Sequence, residues 1–223
     1  PNLDTSFASD VGVVGTPTTL TFTVTNTSEL AAKRDWNFTN TLPAGLVVAS
    51  TPAVGGTCVN TTGTAAFSVT AAASSNSIAV TGGDLASGSA SCTITVNVVA
   101  TTTGTYTNGP SNVTTVLNAP EAATFTAELP TRVTIQKNVV GRATSTDQFR
   151  LALSLGATEV ATATTTGANT GLQTVQVGPV NVTRGSTYTI SETIVSTSSL
   201  NTYTTSYQCL RGGTTIATGT SIS

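Results

Sequence analysis

The chain has 223 residues, and only 8% of them are charged, with eight Lys and Arg against ten Asp and Glu. The net charge of −2 and the scattered cations do not provide the basic surface that nucleic acid binding requires, which argues against a nucleic acid partner. The chain contains no His, the commonest general base and metal ligand, so we expect no metal site, no cofactor and no enzymatic turnover.

The composition also indicates where the protein works. Three Cys in a chain that is rich in Thr, Ser and Gly favour an exported protein in an oxidising, extracellular setting. The absence of Met indicates a processed or excised piece. No apolar run approaches the roughly 18 residues of a membrane-spanning helix, so we expect no membrane span in this segment.

Apolar residues that alternate with Thr dominate the first part of the chain. Leu20, Phe22 and Val24 alternate with Thr, and the same pattern returns from Cys92 to Val98, which predicts half-buried strands. Further strands are expected at 45–50, 65–70, 76–81, 104–108, 112–117 and 122–129. No segment keeps a helical period for three turns.

The pattern breaks at Pro130, and a second series of strands follows. These strands are expected at 132–140, 147–155, 158–165, 172–182, 186–195 and 202–210, with a weaker one at 214–218. The sequence therefore predicts an all-β chain of two tandem immunoglobulin-like or prealbumin-like β-sandwich domains, at residues 1–130 and 131–223.

The three Cys are divided between the two domains. Cys58 and Cys92 lie in the first domain, and a disulfide between them is the simplest interpretation, although two buried thiols are the alternative. Cys209 has no partner left in the sequence. It predicts a partner in sequence beyond Ser223 or in another chain.

Two charged residues share the parity of core residues in the second domain. Lys137 falls on the apolar face of Val133 and Ile135, and Glu192 falls on that of Ile190. Unpaired buried charges cost several kcal/mol, so the two are expected to pair with each other or to be chemically neutralised. The alternatives are that each side chain reaches solvent at a strand end, or that a bulge changes the parity.

The second domain resembles the prealbumin-like, collagen-adhesin B-type domains of bacterial surface proteins and pilins. The resemblance is carried by Thr-Ile-Gln-Lys137-Asn-Val, by Asp147-Gln-Phe and by Tyr-Thr-Ile-Ser-Glu192-Thr. It implies that Lys137 condenses with an Asn or Asp side chain while Glu192 assists by proton transfer, an autocatalytic role. Because no terminal strand with an inward Asn follows Cys209, this domain is expected to lack its last strand. Asp147 is the weaker candidate partner within the chain.

The first domain resembles the β-sandwich repeat of very large bacterial surface proteins. The motifs are Leu-Thr-Phe-Thr-Val-Thr-Asn26, Thr-Leu-Pro-Ala-Gly45, Ser-Cys92-Thr-Ile-Thr-Val and Gly-Thr-Tyr-Thr-Asn108. Members of that group serve as stalk or repeat units.

These observations predict a structural subunit or stalk module of a bacterial extracellular fibre, pilus-like filament or adhesin. It would lie on the bacterial cell surface and associate with copies of itself. Strand donation between subunits is one route to such assembly, because an open sheet edge is a template for another chain. The alternative is an adhesin module that binds a glycan or a surface ligand.

Overall fold

The computed structural model describes residues 1–59, 64–196 and 198–220. The chain divides into two compact units, residues 1–129 and 130–223, which we call unit 1 and unit 2. The division falls beside Pro130. Within the described residues, the regular elements are strands and two short 3-10 turns, so the all-β prediction is confirmed.

Unit 1 is built from short strands. Its described residues form β1 (Asn2–Phe7), β2 (Val11–Val13), β3 (Thr18–Thr25), β4 (Lys33–Thr41), β5 (Leu46–Val48), β6 (Gly55–Gly56), β7 (Ser68–Thr70), β8 (Ser77–Leu85), β9 (Ser91–Ala100), β10 (Gly104–Asn108), β11 (Val113–Thr115) and β12 (Ala123–Glu128). One sheet has the order β1-β3-β9-β5, with β6 also on β9, another has the order β11-β4-β8-β7, and a third has the order β10-β12-β2.

The alternation in β3 and β9 builds the core of unit 1. Phe22 lies opposite Ile94, and both side chains are buried while the neighbouring Thr side chains are partly exposed. Across the sandwich, the ring of Phe22 packs on that of Phe38 in β4, with 4.9 Å between centroids. The two sheets are therefore joined through aromatic side chains.

The structure adds strands that the alternation does not predict, and β4 is the longest of them. Its pairing with β8 has register shifts on both sides of Trp36, and Asp35 has a φ of 54°. The left-handed conformation of Asp35 and the register shift beside it interrupt the alternation of apolar and polar residues on which the strand prediction depends. The strands β1, β2 and β6 are likewise additional.

Unit 2 has fewer strands. Its described residues form β13 (Thr131–Val139), β14 (Phe149–Leu155), β15 (Thr158–Thr164), β16 (Gly171–Val182), β17 (Tyr188–Ile194), β18 (Tyr207–Arg211) and β19 (Thr214–Gly219). β13 pairs with β16, β14 pairs with both β15 and β17, and β18 pairs with β19. Leu151 and Leu153 of β14 pack with Val177 of β16 to form the small core between the first two sheets.

Two boundaries in unit 2 differ from the sequence prediction. The predicted strand at 202–210 is a strand only from Tyr207, because a 3-10 turn occupies Leu200–Thr202 and Tyr203 is held by side-chain contacts. The strand predicted from residue 147 begins at Phe149, since Asp147 closes a turn by accepting a hydrogen bond from the Thr144 amide at 3.1 Å.

Candidate functional site

Lys137 and Glu192 meet between two of the sheets of unit 2, the β13-β16 sheet and the β15-β14-β17 sheet. Lys137 lies on β13 and Glu192 on β17, and the Lys137 Nζ is 2.6 Å from the Glu192 Oε1. The side chains are 17% and 3% exposed, respectively. The predicted inward orientation of both charges, and their contact with each other, are therefore present in the structure.

Irregular pairing next to Lys137 does not change its direction. The register shifts between β13 and β16 place Val133 opposite Val180 and Ile135 opposite Val177. A second shift flanks Lys137 itself, where Gln136 lies opposite Gln176 and Asn138 lies opposite Leu172. The extra residues of both shifts lie on β16, so β13 keeps its alternation. Asn138 accordingly lies on the exposed face, opposite to the face that carries Lys137.

The ring of Phe149 contacts Lys137 and Arg142. The Lys137 Nζ lies 4.8 Å from the ring centroid, and the Arg142 Cζ lies 5.6 Å from it. A cation over an aromatic face is attracted by the ring quadrupole. The Lys137 ammonium is therefore in contact with both the Glu192 carboxylate and the face of the Phe149 ring.

Asp147 is buried and bound by hydroxyl groups. Its Oδ1 accepts hydrogen bonds from Ser196 Oγ at 2.6 Å and from Thr144 Oγ1 at 2.7 Å, and its Oδ2 accepts one from the Tyr203 hydroxyl. The bond from Ser196 and then that from Tyr203 hold the pKa of this carboxyl well below its usual range. The ion pair of Lys137 in the described residues is with Glu192, and condensation of Lys137 with Asp147 stays a prediction.

Tyr203 extends this cluster to Phe149. Burial raises the pKa of the Tyr203 phenol, and the hydrogen bond to Asp147 raises it further, so the phenol stays protonated and donates. The Tyr203 ring meets Phe149 edge to face, with centroids 5.1 Å apart. Its hydroxyl oxygen also accepts a hydrogen bond of 2.8 Å from the backbone amide of Ala143.

A cleft of about 510 Å³ opens beside Lys137. Residues 137–143 and 202–206 line it, together with Phe149. The amine of Lys137 is thus beside a space large enough for a side chain from another strand. Among the described residues that line the cleft, only Asn138 has a carboxamide or carboxylate side chain. That side chain lies on the face of β13 opposite to Lys137.

The cysteines are arranged as the sequence indicates. Cys58 and Cys92 form a disulfide in unit 1 across a sequence separation of 34, and both are buried. Cys209 is a free, partly buried thiol on β18. The described residues contain no group of three His, Cys, Asp or Glu side chains that could hold a metal, and no helix among them is long and apolar enough to cross a membrane.

Sequence reasoning identified Lys137 and Glu192 but not the groups around them. Strand parity locates inward charges, whereas Ser196, Tyr203 and Arg142 lie outside regular strands, where parity has no meaning. The only available signal was that the buried Asp147 would require several donors.

Two families match the chain over separate ranges. The family described as "Domain of unknown function (DUF7933)" matches residues 1–124. The family described as "Prealbumin-like fold domain" matches residues 132–222, so the predicted prealbumin-like resemblance is confirmed. No match was found among curated protein sequences.

Three solved structures are similar over most of the chain. BcpA, the major pilin subunit of Bacillus cereus, is 13% identical with a TM-score of 0.41, over 96% of this chain and 62% of that one. The T6 backbone pilin of Streptococcus pyogenes is 10% identical with a TM-score of 0.34, over 87% and 51%. Domains D2 and D3 of the major pilin SpaD from Corynebacterium diphtheriae are 14% identical with a TM-score of 0.31, over 86% and 81%. The chain therefore spans less than two thirds of the first two pilins.

Proposed function

The chain belongs to the DUF7933 family, and we propose that it is a structural module of a bacterial extracellular fibre, pilus-like filament or adhesin stalk. The observation that carries the proposal is the Lys137–Glu192 pair, which bridges two sheets of a prealbumin-like domain beside an open cleft. The module works on the bacterial cell surface, associates with copies of itself, and has no turnover chemistry.

The pair is suited to form one amide bond with an incoming Asn side chain. Lys137 transfers a proton to Glu192, and the neutral amine attacks the carboxamide carbon. A carbon–nitrogen bond forms to Nζ, the proton on Glu192 passes to the departing amino group, and ammonia leaves. Nζ then gives its second proton to the Glu192 carboxylate, so that a neutral amide remains. An Asp partner would release water instead. The distance of 2.6 Å between Nζ and Oε1 supports a direct proton transfer.

The amide partner comes from a strand that lies along the open edge of β13. In the described part of unit 2, β13 pairs with β16 alone, so its other edge leaves backbone donors and acceptors available. Such an edge favours the addition of a strand. We infer that a neighbouring subunit donates this strand, and that its Asn or Asp side chain enters the cleft beside Lys137.

The two units would resist force by different covalent links. The Cys58–Cys92 disulfide holds unit 1, and the amide would hold β13 of unit 2 to its new neighbour. Cys209 would supply a second, reducible link between subunits. A fibre built in this way cannot be separated at Lys137 without breaking a covalent bond.

The test is the mass of native material after it is boiled in denaturant with reductant. The expected result is a ladder of multiples of the 22.3 kDa chain, in which each joint has lost one ammonia or one water. Lys137→Arg should abolish the ladder, because a guanidinium does not act as the nucleophile. Glu192→Gln should slow it.

Glu159→Gln provides a matched control, because Glu159 pairs with Arg150 at the surface and should leave the ladder unchanged. Fibres that dissociate into single chains of full mass would reject the amide. Secreted chains that never form fibres would reject the structural role. The adhesin module that binds a glycan or a surface ligand stays a prediction.

A further inference from the structure

We propose that Asp147 is a positioning residue, which fixes Phe149 and Tyr203 beneath Lys137, rather than the residue with which Lys137 reacts. The inference rests on the proposed role of Lys137 as the nucleophile of unit 2. Asp147 is a buried acid that the Lys137–Glu192 chemistry does not use. The positioning role gives it a function at the same site.

Asp147 ties its own loop to two residues that are distant from it in sequence, Ser196 and Tyr203. Thr144 lies in the loop before β14, Ser196 lies after β17, and Tyr203 follows the 3-10 turn. All three donate hydroxyl hydrogen bonds to one carboxylate. The amide of Thr144 donates a fourth bond at 3.1 Å, which gives two donors to each carboxylate oxygen. Asp147 therefore holds the loop in which it lies to residues 202–206 on the other side of the cleft.

The contacts continue from Asp147 to the reactive amine. Asp147 holds the hydroxyl of Tyr203, the ring of Tyr203 packs edge to face on Phe149, and Phe149 lies under the ammonium of Lys137. Each step is a direct contact between buried or partly buried groups. A loss of the carboxylate would free Tyr203 and, with it, the ring that supports Lys137.

The backbone of Asp147 holds the second cation at the ring. A guanidinium NH of Arg142 donates to the Asp147 carbonyl, and its other nitrogens donate to Asn169 O and Gln173 Oε1. The same guanidinium lies over Phe149. Both neighbours of the Phe149 ring, Tyr203 and Arg142, are therefore bound to residue 147.

The same bonds make Asp147 a poor partner for condensation. A carboxyl must be protonated before an amine can displace water from it, whereas four donors stabilise the ionised form of Asp147. The depressed pKa of this carboxyl is consistent with that role. Lys137 is instead in contact with Glu192.

The chain offers a direct spectroscopic test because it contains only two lysines, Lys33 and Lys137. In full-length chain with ¹³C-labelled lysine, two ε-methylene signals are expected. That of Lys137, identified by its loss in Lys137→Arg, should be displaced upfield by the ring current of Phe149. Lys33 lies in unit 1 and serves as an internal control. The intact mass states whether the amine is free or joined, and the displacement is measured in either form.

Asp147→Ala should move the Lys137 signal toward the position of an unperturbed lysine and leave the Lys33 signal unchanged. Asp147→Asn retains one carbonyl oxygen for Ser196 and Thr144, so it should keep part of the displacement. Tyr203→Phe removes one bond to Asp147 and should give an intermediate value. Glu159→Gln should change neither signal.

A Lys137 signal that stays displaced in a folded Asp147→Ala chain overturns the proposal. If Asp147→Ala unfolds unit 2, Ser196→Ala and Tyr203→Phe decide instead, and unchanged signals in both overturn it. An amide bond found by mass at Asp147 also overturns it. If native material shows no amide at all but the Lys137 signal depends on Asp147, the positioning role stands and the proposed function fails.

Discussion

The stability of unit 2 depends on a charge pair that is costly to separate. Glu192 is almost fully buried, and its Oε1 is 2.6 Å from the Lys137 ammonium. Removing one member of a buried pair leaves the other charge without compensation, which typically costs about 3–5 kcal/mol. The two members are not equivalent, because Lys137 is 17% exposed and Glu192 is 3% exposed.

We predict that Lys137→Met destabilises unit 2 more than Glu192→Gln does. The first variant leaves a carboxylate buried among apolar groups, whereas the second leaves an ammonium that keeps Phe149 and some contact with water. In chains without the amide, urea unfolding of unit 2 should show a loss of about 3–5 kcal/mol for Lys137→Met and a smaller loss for Glu192→Gln.

The double variant Lys137→Met/Glu192→Leu tests the cause. It removes both charges, so its loss should be well below the sum of the single losses. The surface pair of Arg150 and Glu159 is the comparison, with side chains 33% and 49% exposed. Glu159→Gln should cost less than about 1 kcal/mol. Equal losses at the two pairs would contradict the buried-pair explanation.

Asp147 makes a contribution that depends on pH. Its pKa in the folded protein lies below the unfolded value, because Ser196 and Tyr203 donate to the carboxylate. The unfolded chain therefore binds more protons in acid, so the stabilisation is complete above the usual aspartate range and is lost as the pH falls towards the folded pKa.

We predict that Asp147→Asn makes the stability of unit 2 less dependent on pH in the acid range. The measurement is the urea midpoint of unit 2 from neutral pH to acid, in wild type and variant. The wild-type midpoint should fall more steeply. Parallel curves would mean that the four hydrogen bonds do not favour the ionised form.

At the scale of the strand, the sequence predicts secondary structure well where one face of the strand is buried and the other is exposed to solvent. The alternation of β3 and β9 predicts both strands, and the same parity places Lys137 and Glu192 on inward faces. It fails at β4, where Asp35 adopts a positive φ beside a register shift. A period of two does not describe a strand whose pairing with its own neighbour shifts register.

The surroundings of Lys137 could not be predicted for a different reason. Tyr203 and Ser196 reach Asp147 from irregular segments 56 and 49 residues away in sequence. No local pattern relates residues so far apart when they lie outside strands. The cleft is likewise lined by residues 202–206, which are not a strand because β18 begins only at Tyr207. Alternation had indicated a continuous strand through these residues.

The disulfide links two elements of unit 1 that are remote in sequence. Cys92 belongs to β9, and Cys58 follows β6, whose partner is also β9. Closing a loop over a separation of 34 residues restricts the unfolded chain.

We predict that Cys58→Ser/Cys92→Ser destabilises unit 1 by about 3–4 kcal/mol in the chain-entropy model. The measurement is the urea midpoint of unit 1, with and without reductant. Reductant should lower the wild-type midpoint to that of the variant and leave the variant unchanged. A Cys209→Ser chain is the control, and its unit 1 should respond to reductant as the wild type does.

The two units differ in the size of their cores. In unit 1 the buried apolar residues extend over three sheets and include the rings of Phe22, Phe38 and Phe125. In the described residues of unit 2, the buried apolar side chains are Val139, Phe149, Leu151, Ala152, Leu153 and Val177. A small core supplies little stability, and small domains usually depend on an additional link. The proposed amide would supply that link to unit 2.

We therefore predict two thermal transitions in the isolated chain, with unit 2 unfolding first. Lys137→Met should lower the first transition and leave the second unchanged, because the variant removes an interaction that lies within unit 2. Reductant should lower the temperature of the second transition, because it breaks the Cys58–Cys92 disulfide.

In covalently joined fibres, the first transition should move to higher temperature, and in Lys137→Arg material it should return to its original position. Differential scanning calorimetry of these five samples separates the contributions. A single transition that responds equally to reductant and to Lys137→Met would show that the units unfold together, and that unit 2 does not depend on its own links.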